Sequence, residues 1–201
     1  RPSQWRELRD GLAYVRNAPT VLALMWLAFL VNLTAYPFTM GLLPYVAKDI
    51  YGVDETGLGY MVAVLAGGAL IGSLGATVTG ARRYSTRGMI LNILVWYALL
   101  AGFALVETMA AGLVILGLMG MVQSLAMISM STALLRESSA RFRARVMGVR
   151  MLAVYGLPMG LLAMGQGIEA VGYRTTVWVC VLIGAGLTVL VARRWRAAIW
   201  L

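Results

Sequence analysis

Histidine is absent from the 201-residue sequence, and cysteine occurs only once. The lack of histidine excludes histidine-based acid–base catalysis and histidine-ligated metal sites. The single cysteine, Cys180, excludes a disulfide within the chain, and its apolar surroundings favour an inert packing role. We therefore expect a protein that is not an enzyme and that holds no metal or cofactor.

Charged residues are also scarce, and long stretches contain none. The uncharged stretches are residues 17–47, 56–81, 88–106, 108–135 and 175–192, and a sixth stretch, 146–168, carries only Arg150. A bilayer core of roughly 30 Å takes about 20 apolar residues in helical form. Helices also satisfy their own backbone hydrogen bonds in lipid. The sequence therefore predicts an all-α membrane protein with six transmembrane helices.

The basic residues fall in alternate gaps between these stretches. Of the 17 Lys and Arg residues, only Lys48 and Arg174 lie in the other gaps, which hold most of the acids. The positive-inside rule predicts that both termini and the basic loops are cytoplasmic. The net charge of +9 then reflects topology, so we expect a lipid bilayer and no nucleic acid as partner.

Three regions follow along the chain. Residues 1–19 predict an amphipathic helix on the cytoplasmic membrane surface, since Trp5, Leu8, Leu12 and Val15 recur at helical spacing. Residues 20–192 form the six-helix bundle, and residues 193–201 form a cytoplasmic tail. The first span, about 20–46, should be broken where Pro37, Gly41 and Pro44 occur.

Glycines concentrate in the second and fifth spans. Each span holds a G-x-x-x-G pair, Gly68 with Gly72 and Gly156 with Gly160. Small residues one turn apart let helices approach closely. Their matching positions in the two halves predict two three-helix repeats in inverted topology. The third and sixth spans are the most uniformly apolar, and we expect them to face lipid.

Several short segments occur in a characteristic order. They are L-R-D-G-L-A-Y-V-R-N-A-P (8–19), L-L-P-Y-V-A-K-D-I-Y-G (42–52), G-L-G-Y-M (57–61), G-A-R-R-Y-S-T-R-G (80–88) and R-A-R-V-M-G (143–148). In this order and spacing the chain resembles the C-terminal six-helix half of a major facilitator superfamily (MFS) transporter, within the macrolide-efflux and enterobactin-exporter branch. Ala144 stands where the family has a glycine, and the 80–88 loop has no acidic partner for its arginines.

The resemblance implies a function and partners. It implies proton-coupled efflux of a small amphipathic molecule, drug-like or siderophore-like, across a bacterial inner membrane. It also implies a second, N-terminal six-helix half that supplies the acid for coupling to protons. The chain begins with Arg rather than Met, which fits a product cut from that half or encoded separately. We accordingly expect no transport by the chain alone.

The resemblance also assigns candidate site residues. The family lines its substrate cavity with the first and fourth helices of each half, which here offer polar residues near mid-membrane. The cavity candidates are Asn32, Thr34, Tyr36, Gln123, Ser124 and, on the fifth span, Tyr155. The candidates for contact with the missing half are Gly68, Gly72, Gly156 and Gly160, and those for the cytoplasmic loop and gate are Arg82, Arg83, Arg143 and Arg145.

Two alternatives stay open from the sequence. Buried hydroxyls and amides also serve as plain helix–helix hydrogen bonds, which is the competing interpretation of each cavity candidate. The chain as a whole is also compatible with a non-transporting structural or assembly subunit of a membrane complex. A polar, water-accessible face on the first and fourth spans would distinguish transport from assembly.

Overall fold

The computed structural model describes residues 4–79 and 86–196, and the regular structure in these ranges is entirely helical. The helices are α1 (Gln4–Asn17), α2 (Pro19–Thr34), α3 (Tyr36–Met40), α4 (Leu43–Tyr45), a π-helical turn (Val46–Ile50), α5 (Glu55–Thr79), α6 (Thr86–Leu105), α7 (Met109–Glu137), α8 (Arg143–Val154), α9 (Gly156–Val171) and α10 (Tyr173–Arg194).

Five segments are long and apolar enough to cross a membrane: α5, α6, α7, the joined α8 and α9, and α10. A sixth is added if α1 and α2, which meet at a bend of 109°, count as one broken span. The chain is therefore an all-helical membrane protein with five to six helices capable of spanning the bilayer.

The first apolar stretch is broken where its prolines and glycine predict. Helix α2 ends at Thr34, and Pro37 lies in the first turn of α3. Gly41 follows the end of α3, and Pro44 lies in the first turn of α4. Proline has no backbone N–H to donate, so each proline interrupts the hydrogen bonding of a continuous helix.

The glycines of α5 pack against α7 of the same chain. A Cβ added at Gly72 would lie 2.5 Å from the carbonyl oxygen of Met121, and one at Gly68 would overlap the carbonyl of Gly117. From the opposite side, a Cβ at Gly120 would overlap the carbonyl of Leu65. The two helices touch backbone to backbone, which any side chain larger than hydrogen would prevent.

The glycines of α9 pack in the same way against the broken first span. A Cβ at Gly156 would lie 3.0 Å from the carbonyl oxygen of Phe29, and one at Gly160 would overlap the carbonyl of Leu33. The structure therefore corrects the expectation that Gly68, Gly72, Gly156 and Gly160 face a second half. Their sides of α5 and α9 are covered by helices of this chain.

Helix α6 buries one face inside the bundle and exposes the other. Ile93, Trp96, Tyr97 and Leu100 are each at most 1% exposed, and the Tyr97 hydroxyl is hydrogen-bonded to Thr34 Oγ1 at 2.6 Å. The expectation that α6 faces lipid therefore needs correction for its buried face only, since Leu91 and Val95 on the other face are exposed. Uniform apolarity suits a helix face packed on protein as well as one in lipid. Helix α10 does expose apolar side chains, including Leu182 and Leu190.

Helix α1 packs on the start of α8 and the loop before it. The Tyr14 ring stacks on Phe142 with centroids 4.5 Å apart, and its hydroxyl accepts a hydrogen bond from the Ser139 backbone N–H at 3.1 Å. Asp10 pairs with Arg145 at 3.5 Å. Of the predicted apolar face, Val15 is buried and Leu12 is exposed, while the side chains of Trp5 and Leu8 lie outside the described residues.

Candidate ligand-binding cavity

A cavity of about 440 Å³ lies between α2, α3, α7, α8 and the start of α9. Its size falls in the usual range for small-molecule sites, roughly 300–1,000 Å³. Much of its wall is thioether side chains, contributed by Met40, Met127, Met130, Met147 and Met151. Methionines are flexible and polarisable, so such a wall accommodates apolar ligands of varied shape.

Arg150 supplies the cavity's cationic group. It lies on α8, seven residues after the first residue of that helix, Arg143. At 1.5 Å per residue, this places Arg150 about 10 Å from the start of the helix. Its Nη1 donates to Ser131 Oγ at 2.7 Å, and that hydroxyl donates to the Met127 carbonyl at 2.8 Å. Among the described residues no carboxylate lies within ion-pairing distance of Arg150. A charge inside a spanning segment without a counter-ion is costly and typically functional.

Asn32 and Tyr36 add polar groups on the opposite wall. Asn32 lies on α2 and Tyr36 at the start of α3, and both side chains line the cavity. Asn32 Nδ2 donates to the Ala28 carbonyl at 2.8 Å, which uses one of the two amide hydrogens. Tyr36 packs edge-on against Trp96, with ring centroids 5.0 Å apart. The cavity thus has hydrogen-bonding groups facing a single positive charge.

Gln123 lies behind Tyr36 on α7. Its side chain lies close to the Tyr36 hydroxyl. Its Oε1 is buried and has no hydrogen-bond partner among the described residues. An unpaired buried acceptor costs roughly 1–3 kcal/mol, and such atoms concentrate at functional positions. Gln123 therefore extends the polar side of the cavity by one layer.

The other predicted cavity residues lie elsewhere. Thr34 faces α6, where it is hydrogen-bonded to Tyr97, because two helical residues turn it about 200° from Asn32. Ser124 donates to the Met121 carbonyl at 3.2 Å and lies against Gly72 of α5. Tyr155 is 68% exposed at the junction of α8 and α9. The expectation that Thr34, Ser124 and Tyr155 line the cavity is corrected accordingly.

Arg150 was not among the predicted site residues, because it lies close in sequence to the arginines of the basic loop that fix topology. The available signal was that Arg150 is the sole charge within its apolar stretch, and intramembrane ionisable residues are presumptively functional.

The predicted gate arginines divide between two roles. Arg143 Nε donates to the Leu135 carbonyl at 3.1 Å, near the carboxyl end of α7, where a cation is favoured. Arg145 pairs with Asp10 and lies over the Phe142 ring, 5.5 Å from its centroid. Arg82 and Arg83 lie outside the described residues.

Comparison with known proteins gives no match. No family model fits the chain, and neither a curated protein nor a solved structure is significantly similar to it.

Proposed function

We propose that this chain is the C-terminal six-helix half of an MFS-type secondary transporter. It works with an N-terminal half in a bacterial inner membrane, with both termini cytoplasmic, and exports a small amphipathic molecule in exchange for protons. Its six helices form two inverted three-helix repeats. The support for this proposal is the resemblance of the sequence segments together with a cavity between helices of the two repeats.

The observation that carries the proposal is Arg150 in a methionine-lined cavity. The guanidinium bonds a neutral hydroxyl, Ser131, and pairs with no acid in the described part of the chain, so its charge is available to a ligand. The apolar wall favours the hydrophobic part of that ligand. An anionic group would complete the pairing that Arg150 lacks within the described residues. The substrate is therefore an amphipathic anion.

The pairing of Arg150 with an anion also sets how much affinity its removal should cost. A hydrogen bond to a charged group contributes about 1.5–3 kcal/mol. Since 1.4 kcal/mol is about a factor of ten in affinity, removing the guanidinium should weaken anion binding by roughly 10- to 100-fold. The affinity for a cation with the same apolar body should rise or stay the same when the guanidinium is removed, because Arg150 repels that cation.

The test uses three probes that share one ring system: 2-naphthoate, 2-naphthylmethylammonium and neutral 2-naphthylmethanol. Binding is measured by calorimetry on the full chain in lipid nanodiscs. We expect Arg150→Gln to weaken 2-naphthoate alone and Arg150→Lys to restore part of the affinity. Arg136→Gln is the matched control, because Arg136 is an exposed arginine in the last turn of α7 and is absent from the cavity lining.

Equal losses for all three probes would mean that Arg150 supports the fold rather than a ligand. Absence of any binding by the wild-type chain would favour the alternative, a non-transporting assembly subunit.

A further inference from the structure

A second concavity lies on the outer surface of the bundle, between the start of α6 and the end of α10. Its volume is about 430 Å³. The wall is apolar and consists of Ile90, Leu91, Leu94, Val189 and Ala192. Leu91 is 62% exposed, so the groove opens outward, where the bilayer is the solvent for the bundle. It shares no residue with the Arg150 cavity.

Three arginines line one end of this groove: Arg87 on α6, Arg193 in the last turn of α10, and Arg196 just after that helix. Within residues 4–79 and 86–196, no Asp or Glu lines the groove. The neighbouring Arg194 lies over Trp195, 5.7 Å from the ring centroid, and does not line the groove. Tryptophan beside arginine at a helix end is typical of headgroup depth. The arginines therefore lie where the phosphates of a lipid leaflet are found.

We infer that this groove binds one anionic phospholipid. An acyl chain lies along the apolar wall of α6 and α10, and the phosphate lies against the guanidinium groups at the basic end. Guanidinium groups pair with phosphate through two parallel hydrogen bonds, and basic pockets between helices recognise anionic headgroups in this way. A soluble phosphate would bind the arginines but leave the apolar wall without a ligand. A basic end next to an apolar wall therefore matches a phospholipid better than a soluble phosphate.

The test measures lipid preference by native mass spectrometry of the full chain, released from vesicles of phosphatidylglycerol and phosphatidylcholine in equal amounts. We expect wild-type protein to retain phosphatidylglycerol preferentially. Each arginine should contribute roughly fivefold to the preference, so Arg193→Gln should lower it by about that factor and Arg193→Gln with Arg196→Gln by more. Arg194→Gln is the matched control, since it removes the same charge from the same helix end outside the groove.

A second variant tests the acyl part of the site. Leu91→Trp places a bulky ring in the groove at an already exposed position, so it should reduce retention of phosphatidylglycerol while the thermal midpoint stays unchanged. Addition of inorganic phosphate should displace none of the bound lipid.

Three results would overturn the inference. One is an equal loss of preference in Arg193→Gln and Arg194→Gln, which would indicate diffuse attraction to the basic end. Another is an unchanged preference in both Arg193→Gln and Leu91→Trp. The third is displacement by inorganic phosphate, which would indicate a site for a soluble anion.

Discussion

Replacement of Gly72 by alanine should push α5 and α7 apart, whereas the same change at Gly67 should not. The added Cβ at Gly72 would lie 2.5 Å from the Met121 carbonyl oxygen, while at Gly67 nothing lies within 4 Å. A carbon–oxygen contact takes about 3.3 Å, so the helices must separate by about 0.8 Å at Gly72. A gap of this size loses roughly a quarter to a half of the dispersion energy of the contacting atoms.

The two variants share their gain in helix propensity, so their difference isolates the packing loss. We expect Gly72→Ala to have a free energy of unfolding about 1–3 kcal/mol below that of Gly67→Ala, in line with overpacking in other close-packed interfaces. Denaturant titration of the purified protein in mild detergent measures both values, with helicity followed by circular dichroism. Equal stability of the two variants would refute the backbone-to-backbone contact between α5 and α7.

Two further predictions concern the bundle and its first helix. In a double-mutant cycle, the stability losses of Thr34→Val and Tyr97→Phe should be non-additive, because each variant removes the same 2.6 Å hydrogen bond. We expect a coupling free energy of about 0.5–1.5 kcal/mol. Additive losses would contradict that bond. Tyr14→Ala should release α1 from the loop before α8 and accelerate tryptic cleavage after Arg16. Leu12→Ala, at an exposed position on the same helix, should leave the cleavage rate unchanged, and identical rates for both variants would argue against docking of α1 through Tyr14.

Much of the fold was predictable because lipid imposes one strong rule on sequence. Uncharged stretches of bilayer length become helices, and α5, α6, α7 and α10 each fall within or closely around one of those stretches. The breaks in the first span were predictable as well, since Pro37 and Pro44 lack the N–H that a continuous helix requires. These features depend on local chemistry alone.

The choice of neighbours was not predictable in the same way. Gly68 and Gly160 indicate that another helix backbone approaches closely, but they do not indicate which helix it is. Apolar side chains on α6 likewise suit lipid and protein equally, so no sequence signal shows that Trp96 is buried while Leu91 is exposed. Both failures have one cause: in a bilayer, hydrophobicity does not distinguish inside from outside.

The candidate site was predicted in part. Asn32 and Tyr36 do line the cavity, whereas Thr34 lies between them in sequence and faces α6. Arg150 was attributed to topology because arginines cluster nearby, although its position inside an apolar stretch was the better guide. The cavity residues would have been assigned more accurately from the direction in which each polar residue points from its helix and from the position of isolated charges within apolar stretches.

The central claim is that the methionine-lined cavity is a water-accessible site for an amphipathic anion, and thiol labelling at Asn32 tests it most directly. Asn32→Cys is made in a Cys180→Ser background, reconstituted in vesicles and exposed to a membrane-impermeant methanethiosulfonate reagent. The control is Leu70→Cys, at an exposed apolar position on α5. We predict labelling at position 32 that 2-naphthoate slows, and little labelling at position 70. Equal reactivity at the two positions, or labelling at position 32 that 2-naphthoate leaves unchanged, would contradict the account.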